Sequence, residues 1–148
     1  MKRDEIIKTI DDALASHNDQ IEKIEDLFNG DQVINPTPLD KRECSFGTWI
    51  YSPENCIKSL LGYEVYEKII SYHEDWHIDY KEIYDAFYNQ PQANFLSKVL
   101  HIQEGMDPVN FRMSNFYHRE LIIASCKLTM TLEDCKAKVM KLDEAAFN

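Results

Sequence analysis

The chain has 148 residues, a length that suits one domain, and its 44% apolar content separates it from disordered sequences. Its formal net charge of −10 argues against nucleic acid and anionic membrane surfaces as partners, because binding phosphate needs a basic patch. The longest clearly apolar run, Leu121 to Ala124, is too short to span a bilayer.

A chain of this size buries roughly 70% of its unfolded surface, enough for a self-supporting core. The start, MKRDEIIKTIDDA, mixes both signs of charge and lacks the apolar stretch of a leader, so a cytoplasmic protein is expected. Four cysteines (Cys44, Cys56, Cys126 and Cys135) show no CxxC spacing. In such a compartment they read as thiols or ligands rather than a disulfide framework.

The first predicted helix carries Ile7, Ile10, Leu14, His17, Ile21, Ile24 and Phe28 at alternating spacings of three and four, and Asn29-Gly30 ends it. A loop with two prolines follows. Asp40 with Glu43 resembles a capping box, which predicts a short helix over Cys44 to Tyr51. Ser52-Pro53 is expected to start another, ended by Gly62. A longer helix then carries Tyr66, Ile69, His73, Trp76 or His77, Tyr80, Ile83 or Tyr84, and Phe87, and stops before Pro91. A further helix is expected over 92–103. Asp107-Pro108 opens the last, with a stripe of Tyr117, Leu121, Ala124, Leu128, Leu132, Cys135, Val139 and Leu142. No segment alternates as a strand does. The fold class is all-α, an antiparallel bundle of four to six helices within a single domain.

Three histidines fall on the inward stripes. His17 occupies a core position of the first helix. His73 and His77, four residues apart, share one helix face and can reach one ion together. A buried neutral imidazole needs partners for both nitrogens, and a lone one is usually a satisfied core residue. Three of them resemble a metal shell built from facing helices. Three imidazoles leave a tetrahedral Zn²⁺ one ligand short, and a thiolate would complete it. Cys44 is the candidate: Gly47 lets backbones approach closely, and Phe46 and Trp49 can exclude water. From spacing alone Cys44 reads equally as a small buried core residue.

In order, His17, then Cys44-Ser-Phe46-Gly47-Thr-Trp49, then the His73–His77 pair, the chain resembles the bacterial chemoreceptor zinc-binding (CZB) domain over about residues 5–90. The family often has Trp three residues after the first histidine, where this chain has Gln20, and residues 91–148 extend beyond the resemblance as additional helices. The resemblance implies a 3His/1Cys zinc site of His17, Cys44, His73 and His77 in a dimerising helical bundle. It implies a sensory role, with zinc or oxidants such as hypochlorous acid as stimulus, and a chemoreceptor or diguanylate cyclase as partner. No catalytic or receptor signalling segment is recognised in these residues, so the resemblance implies a module standing alone.

Two other readings compete with this one. His73-Glu74-Asp75-Trp76-His77 fits the HExxH pattern of zinc hydrolases literally, but a fourth protein ligand would close the position that a catalytic water needs. A hemerythrin-like di-iron site needs bridging carboxylates and more histidines than His101 and His118 supply. No enzyme is expected. Asp75 or Asp79 is expected to hydrogen-bond a ligand imidazole.

Overall fold

The computed structural model describes residues 2–29, 31, 36–53, 55–88 and 108–147. Among these residues it contains five α-helices and no strand: α1 (Arg3–Phe28), α2 (Ser45–Ile50), α3 (Ile57–Leu61), α4 (Tyr63–Tyr88) and α5 (Pro108–Lys141), with a closing 3₁₀ turn over Glu144–Phe147. The expected helix over 92–103 lies outside the described residues.

The three long helices form the bundle. Lys136 pairs with Asp11 at 2.5 Å and Arg3 with Glu144 at 2.6 Å, so α5 runs antiparallel to α1. Val65 and Lys68 border one groove with Asp134 and Lys138, and Asp79 borders another with Glu120, so α5 runs antiparallel to α4 as well. α1 and α4 therefore run parallel, each packed on α5. Between α1 and α4 the backbones stay further apart, and large rings fill the space.

Two apolar clusters make the core. One joins Ile6, Ile10 and Ala13 of α1 to Phe46 and Ile50 of α2, Ile57, Ile69, and Leu128, Leu132, Cys135 and Val139 of α5. The other joins Ile24, Trp76, Tyr80, Ile83, Leu121 and Ala124. The α5 stripe from Leu121 to Val139 is buried as its spacing predicts.

Three expectations need correction. The buried stripe of α1 is Ile6, Ile10, Ala13, His17, Gln20 and Ile24; Ile7, Leu14, Ile21 and Phe28 are only half-buried, so the seam is rotated by one residue. Asp40 caps no helix: its carboxylate accepts from the Arg42 N–H at 2.7 Å within a turn, and Cys44 itself is the N-cap of α2. α3 begins at Ile57, where the Asn55 side chain accepts from the Ile57 N–H at 2.9 Å, and not at Ser52-Pro53. Its stop is the expected one, with Gly62 at φ 92°, a backbone region open to glycine.

Candidate metal centre

The four sequence-predicted ligands come together where the two apolar clusters meet. His17 projects from α1, His73 and His77 from successive turns of α4, and Cys44 from the N-terminus of α2. All four are buried, and one ligand atom from each lies within 4.8 Å of every other. This is the one such group among the described residues. The coordination distances of zinc place tetrahedral N and S ligands about 3.3–3.6 Å apart. Sγ of Cys44 is 3.3 Å from Nε2 of His73.

Each side chain is aimed by its surroundings. His17 donates Nδ1–H to the carbonyl of Ala13 at 2.7 Å, one turn back on its own helix. His77 donates Nδ1–H to the Leu39 carbonyl at 3.2 Å. Both bonds fix the tautomer that leaves Nε2 as a lone-pair donor, and in both rings Nε2 is buried without a hydrogen-bond partner. Buried nitrogens left unpaired in this way cost free energy, which a bound cation would recover. The acceptors behind His17 and His77 are thus backbone carbonyls, whereas Nδ1 of His73 is buried without a hydrogen-bond partner. Asp75 and Asp79, the expected partners, make no such bond: Asp75 is exposed and Asp79 half-buried elsewhere on α4.

Cys44 caps α2. Its sulfur accepts the Gly47 N–H at 3.1 Å. Glycine is required at position 47 because a Cβ would sit 1.7 Å from the Lys41 carbonyl oxygen. Burial pushes the Cys44 thiol up, while the backbone N–H groups of Gly47 and Phe46 act the other way. The histidines are pushed down, chiefly by burial: His17 below its ordinary value, His77 to about 4, and His73 to about 2 with the charges of His77, His17 and Lys41 adding. Neutral imidazoles are the form that binds a metal.

Aromatic rings close the site. Phe46 meets His73 edge-on at 5.1 Å and His17 at 6.0 Å. The larger share of this work falls to Trp76, fully buried, whose ring lies 4.7 Å from that of His17 and 5.0 Å from that of His77. Trp49, expected to seal the site, stands one ring removed, tilted against Phe46 at 5.7 Å. Glu74, the base position of an HExxH reading, pairs with Lys41 at the surface and is not among the converging groups. His118 stacks on Phe28 in the second cluster, and His101 lies outside the described residues.

The sequence marks Gln20 only as a departure from the resembled family and gives Thr37 no role. Gln20 is buried one turn beyond His17, and its side-chain oxygen accepts from both the N–H and the hydroxyl of Thr37, at 3.0 and 2.8 Å. A polar residue on a core stripe was the available signal. Among the described residues no helix is long and apolar enough to cross a membrane. Comparison of the chain with family models, with curated proteins and with solved structures gives no match.

Proposed function

We propose that this chain is a zinc-binding sensory module of the chemoreceptor zinc-binding kind, with His17, Cys44, His73 and His77 as the ligands of one Zn²⁺. The observation that carries this reading is the set of four converging buried ligand atoms, two of which, Nε2 of His17 and Nε2 of His77, have no hydrogen-bond partner. Three imidazoles with one thiolate and no carboxylate suit zinc better than Mg²⁺, Ca²⁺ or a di-iron pair, which favour oxygen ligands. Four protein ligands close a tetrahedral site, which favours a structural or sensing role over hydrolysis. Glu74 supports the same choice, because its carboxylate is engaged by Lys41.

When bound, zinc would hold the Cys44 sulfur as thiolate and tie α1, α2 and α4 together. Hypochlorous acid would take two electrons from that thiolate, chloride would leave, and the sulfur would carry the oxygen as sulfenic acid. A sulfenic acid is a poorer zinc ligand, so α2 would be released from the α1–α4 pair. A chemotaxis or cyclic-di-GMP partner would read that change. The four free thiols suit a reducing, cytoplasmic setting.

A homodimer belongs to the same proposal. α5 has 34 residues, about 51 Å at 1.5 Å per residue, against 26 for α1. Phe28 of the last turn of α1 stacks on His118, so the turns of α5 before His118 run past α1. Along α5, Met113, Phe116, Ile123 and Met130 are exposed at heptad-like intervals. Sedimentation giving a monomer at micromolar protein would remove the dimer. Elemental analysis of purified protein tests the main reading: one zinc per chain is expected, and iron in its place, or neither metal, would overturn it.

A further inference from the structure

Gln20 and Tyr80 occupy matching places on the two helices that carry the histidines. Gln20 lies three residues beyond His17 on α1, and Tyr80 three beyond His77 on α4. Both are buried, at 1% and 2% exposure, and both reach the same loop residue. Oε1 of Gln20 accepts from the Thr37 N–H at 3.0 Å and from its hydroxyl at 2.8 Å. The Tyr80 hydroxyl donates to the Thr37 carbonyl at 3.0 Å. Thr37 is thus gripped through its side chain and both of its backbone polar groups.

The backbone on either side of Thr37 is restricted by proline. Pro36 and Pro38 flank Thr37, so two φ angles are fixed and the residue before Pro38 is held out of the helical region. With Thr37 anchored, little freedom remains before Leu39, whose carbonyl receives Nδ1–H of His77. That bond decides which nitrogen of His77 faces Cys44 and His73. The chain therefore runs from Gln20 and Tyr80, through Thr37 and Leu39, to a ligand.

We propose that Gln20 and Tyr80 clamp Thr37 so that the Leu39 carbonyl presents Nε2 of His77 to the metal. Gln20 is a positioning residue and touches no ligand. This inference rests on the metal-binding reading. It also gives a chemical reason for an amide at a core position where the resembled family often has Trp: a buried Gln without these bonds would destabilise the helix pair.

The test measures Zn²⁺ affinity by competition with a chromophoric chelator in the full chain, with the Co²⁺ spectrum as a second readout. Gln20→Met keeps the volume and removes the acceptor. An affinity about 10–100-fold weaker is expected, the range for losing an outer partner of a metal ligand. Gln20→Glu, which retains an acceptor oxygen in either protonation state, is expected to restore most of it. In a His77→Ala background the Gln20→Met change is expected to cost nothing further, whereas in a His73→Ala background it is expected to cost the same factor again. An unchanged affinity in Gln20→Met, or a loss that persists without His77, overturns the clamp while leaving the metal site standing. Wild type that binds neither Zn²⁺ nor Co²⁺ overturns the metal reading itself and the clamp with it. If Gln20→Met fails to fold by circular dichroism, Tyr80→Phe is read in its place, and unchanged affinity there counts equally against the clamp.

Discussion

Cys44 and Cys135 are both buried, at 4% and 0% exposure, and belong to the same apolar cluster, yet their surroundings prepare them for different chemistry. Cys135 sits towards the C-terminal end of α5 among aliphatic side chains, and burial pushes its thiol up to about 12. It stays protonated and behaves as a small apolar residue. Cys44 stands at a helix N-terminus, accepts a backbone N–H at 3.1 Å, and lies 3.3 Å from a histidine nitrogen. Burial alone therefore does not make a cysteine inert. The polar groups within hydrogen-bond reach decide whether a buried sulfur can carry charge.

The largest expected contrast is in metal-linked stability. At free zinc a thousandfold above its dissociation constant, binding stabilises the folded state by about 4 kcal/mol. For a chain of this size that is a melting shift of about 8–16 °C. A chelator is expected to abolish that shift in wild type and in Cys135→Ala. Cys44→Ala is expected to show little shift to abolish. Cys135→Ala lowers stability by about 1 kcal/mol through the small cavity it leaves, with zinc affinity unchanged. Equal metal responses in the two variants would erase the distinction between the two sulfurs.

Acid distinguishes the same two regions. The folded metal-free chain holds His17, His73 and His77 below their ordinary pKa, so the unfolded chain binds more protons as pH falls. Stability is therefore complete above about pH 6.5 and declines below it. His73 and His77 each contribute a loss of up to about 1.4 kcal/mol between pH 6.5 and 5.5, continuing for His77 down to about 4, and His17 adds a loss of the same sign. Urea unfolding of metal-free protein over this range measures it. A flat profile would mean that the imidazoles are not held neutral.

Limited hypochlorous acid is expected to oxidise Cys44 in step with zinc release and to spare Cys135. Cys126 is exposed and reacts without releasing metal. Peptide mass spectrometry alongside a zinc indicator reads both events, and oxidation of Cys126 or Cys56 alone with zinc retained would make the protein a zinc module without a redox switch.

The convergence of His17, Cys44, His73 and His77 was legible because its signals are local or chemically distinctive. His73 and His77 are one helical turn apart, and a histidine on an apolar stripe stands out. The α1 seam was misread by one residue for a physical reason: Ile6, Ile7, Leu14 and Ile21 place apolar residues on two adjacent seams, and Gln20 argues against the seam that is buried. The acceptors behind His17 and His77 left no trace in the sequence, because Ala13 and Leu39 act through backbone carbonyls that any residue possesses. Cys44 as a cap was obscured by Asp40, the stronger cap former four residues earlier, whose carboxylate closes a turn instead.

The smallest expected effect concerns Glu74, adjacent to His73 on α4. A base for a metal-bound water would have to point towards the converging ligand atoms. Glu74 instead reaches Lys41, at a place where its side chain is 45% exposed. An ion pair this open is worth at most about 1 kcal/mol, since solvent screens it and both side chains lose entropy in making it. Glu74→Gln is therefore expected to leave zinc affinity within about twofold of wild type and to cost under about 1 kcal/mol. Lys41 gives the change a further consequence. Its carbonyl faces the sulfur of Cys44 at 3.5 Å, and its ammonium loses a partner in the variant. A modestly faster zinc dissociation with unchanged equilibrium affinity would show that the pair steadies the loop beside the thiolate. A hydrolytic activity present in wild type and lost in Glu74→Gln would reverse the assignment, making Glu74 a base and opening the fourth position that Cys44 is proposed to fill.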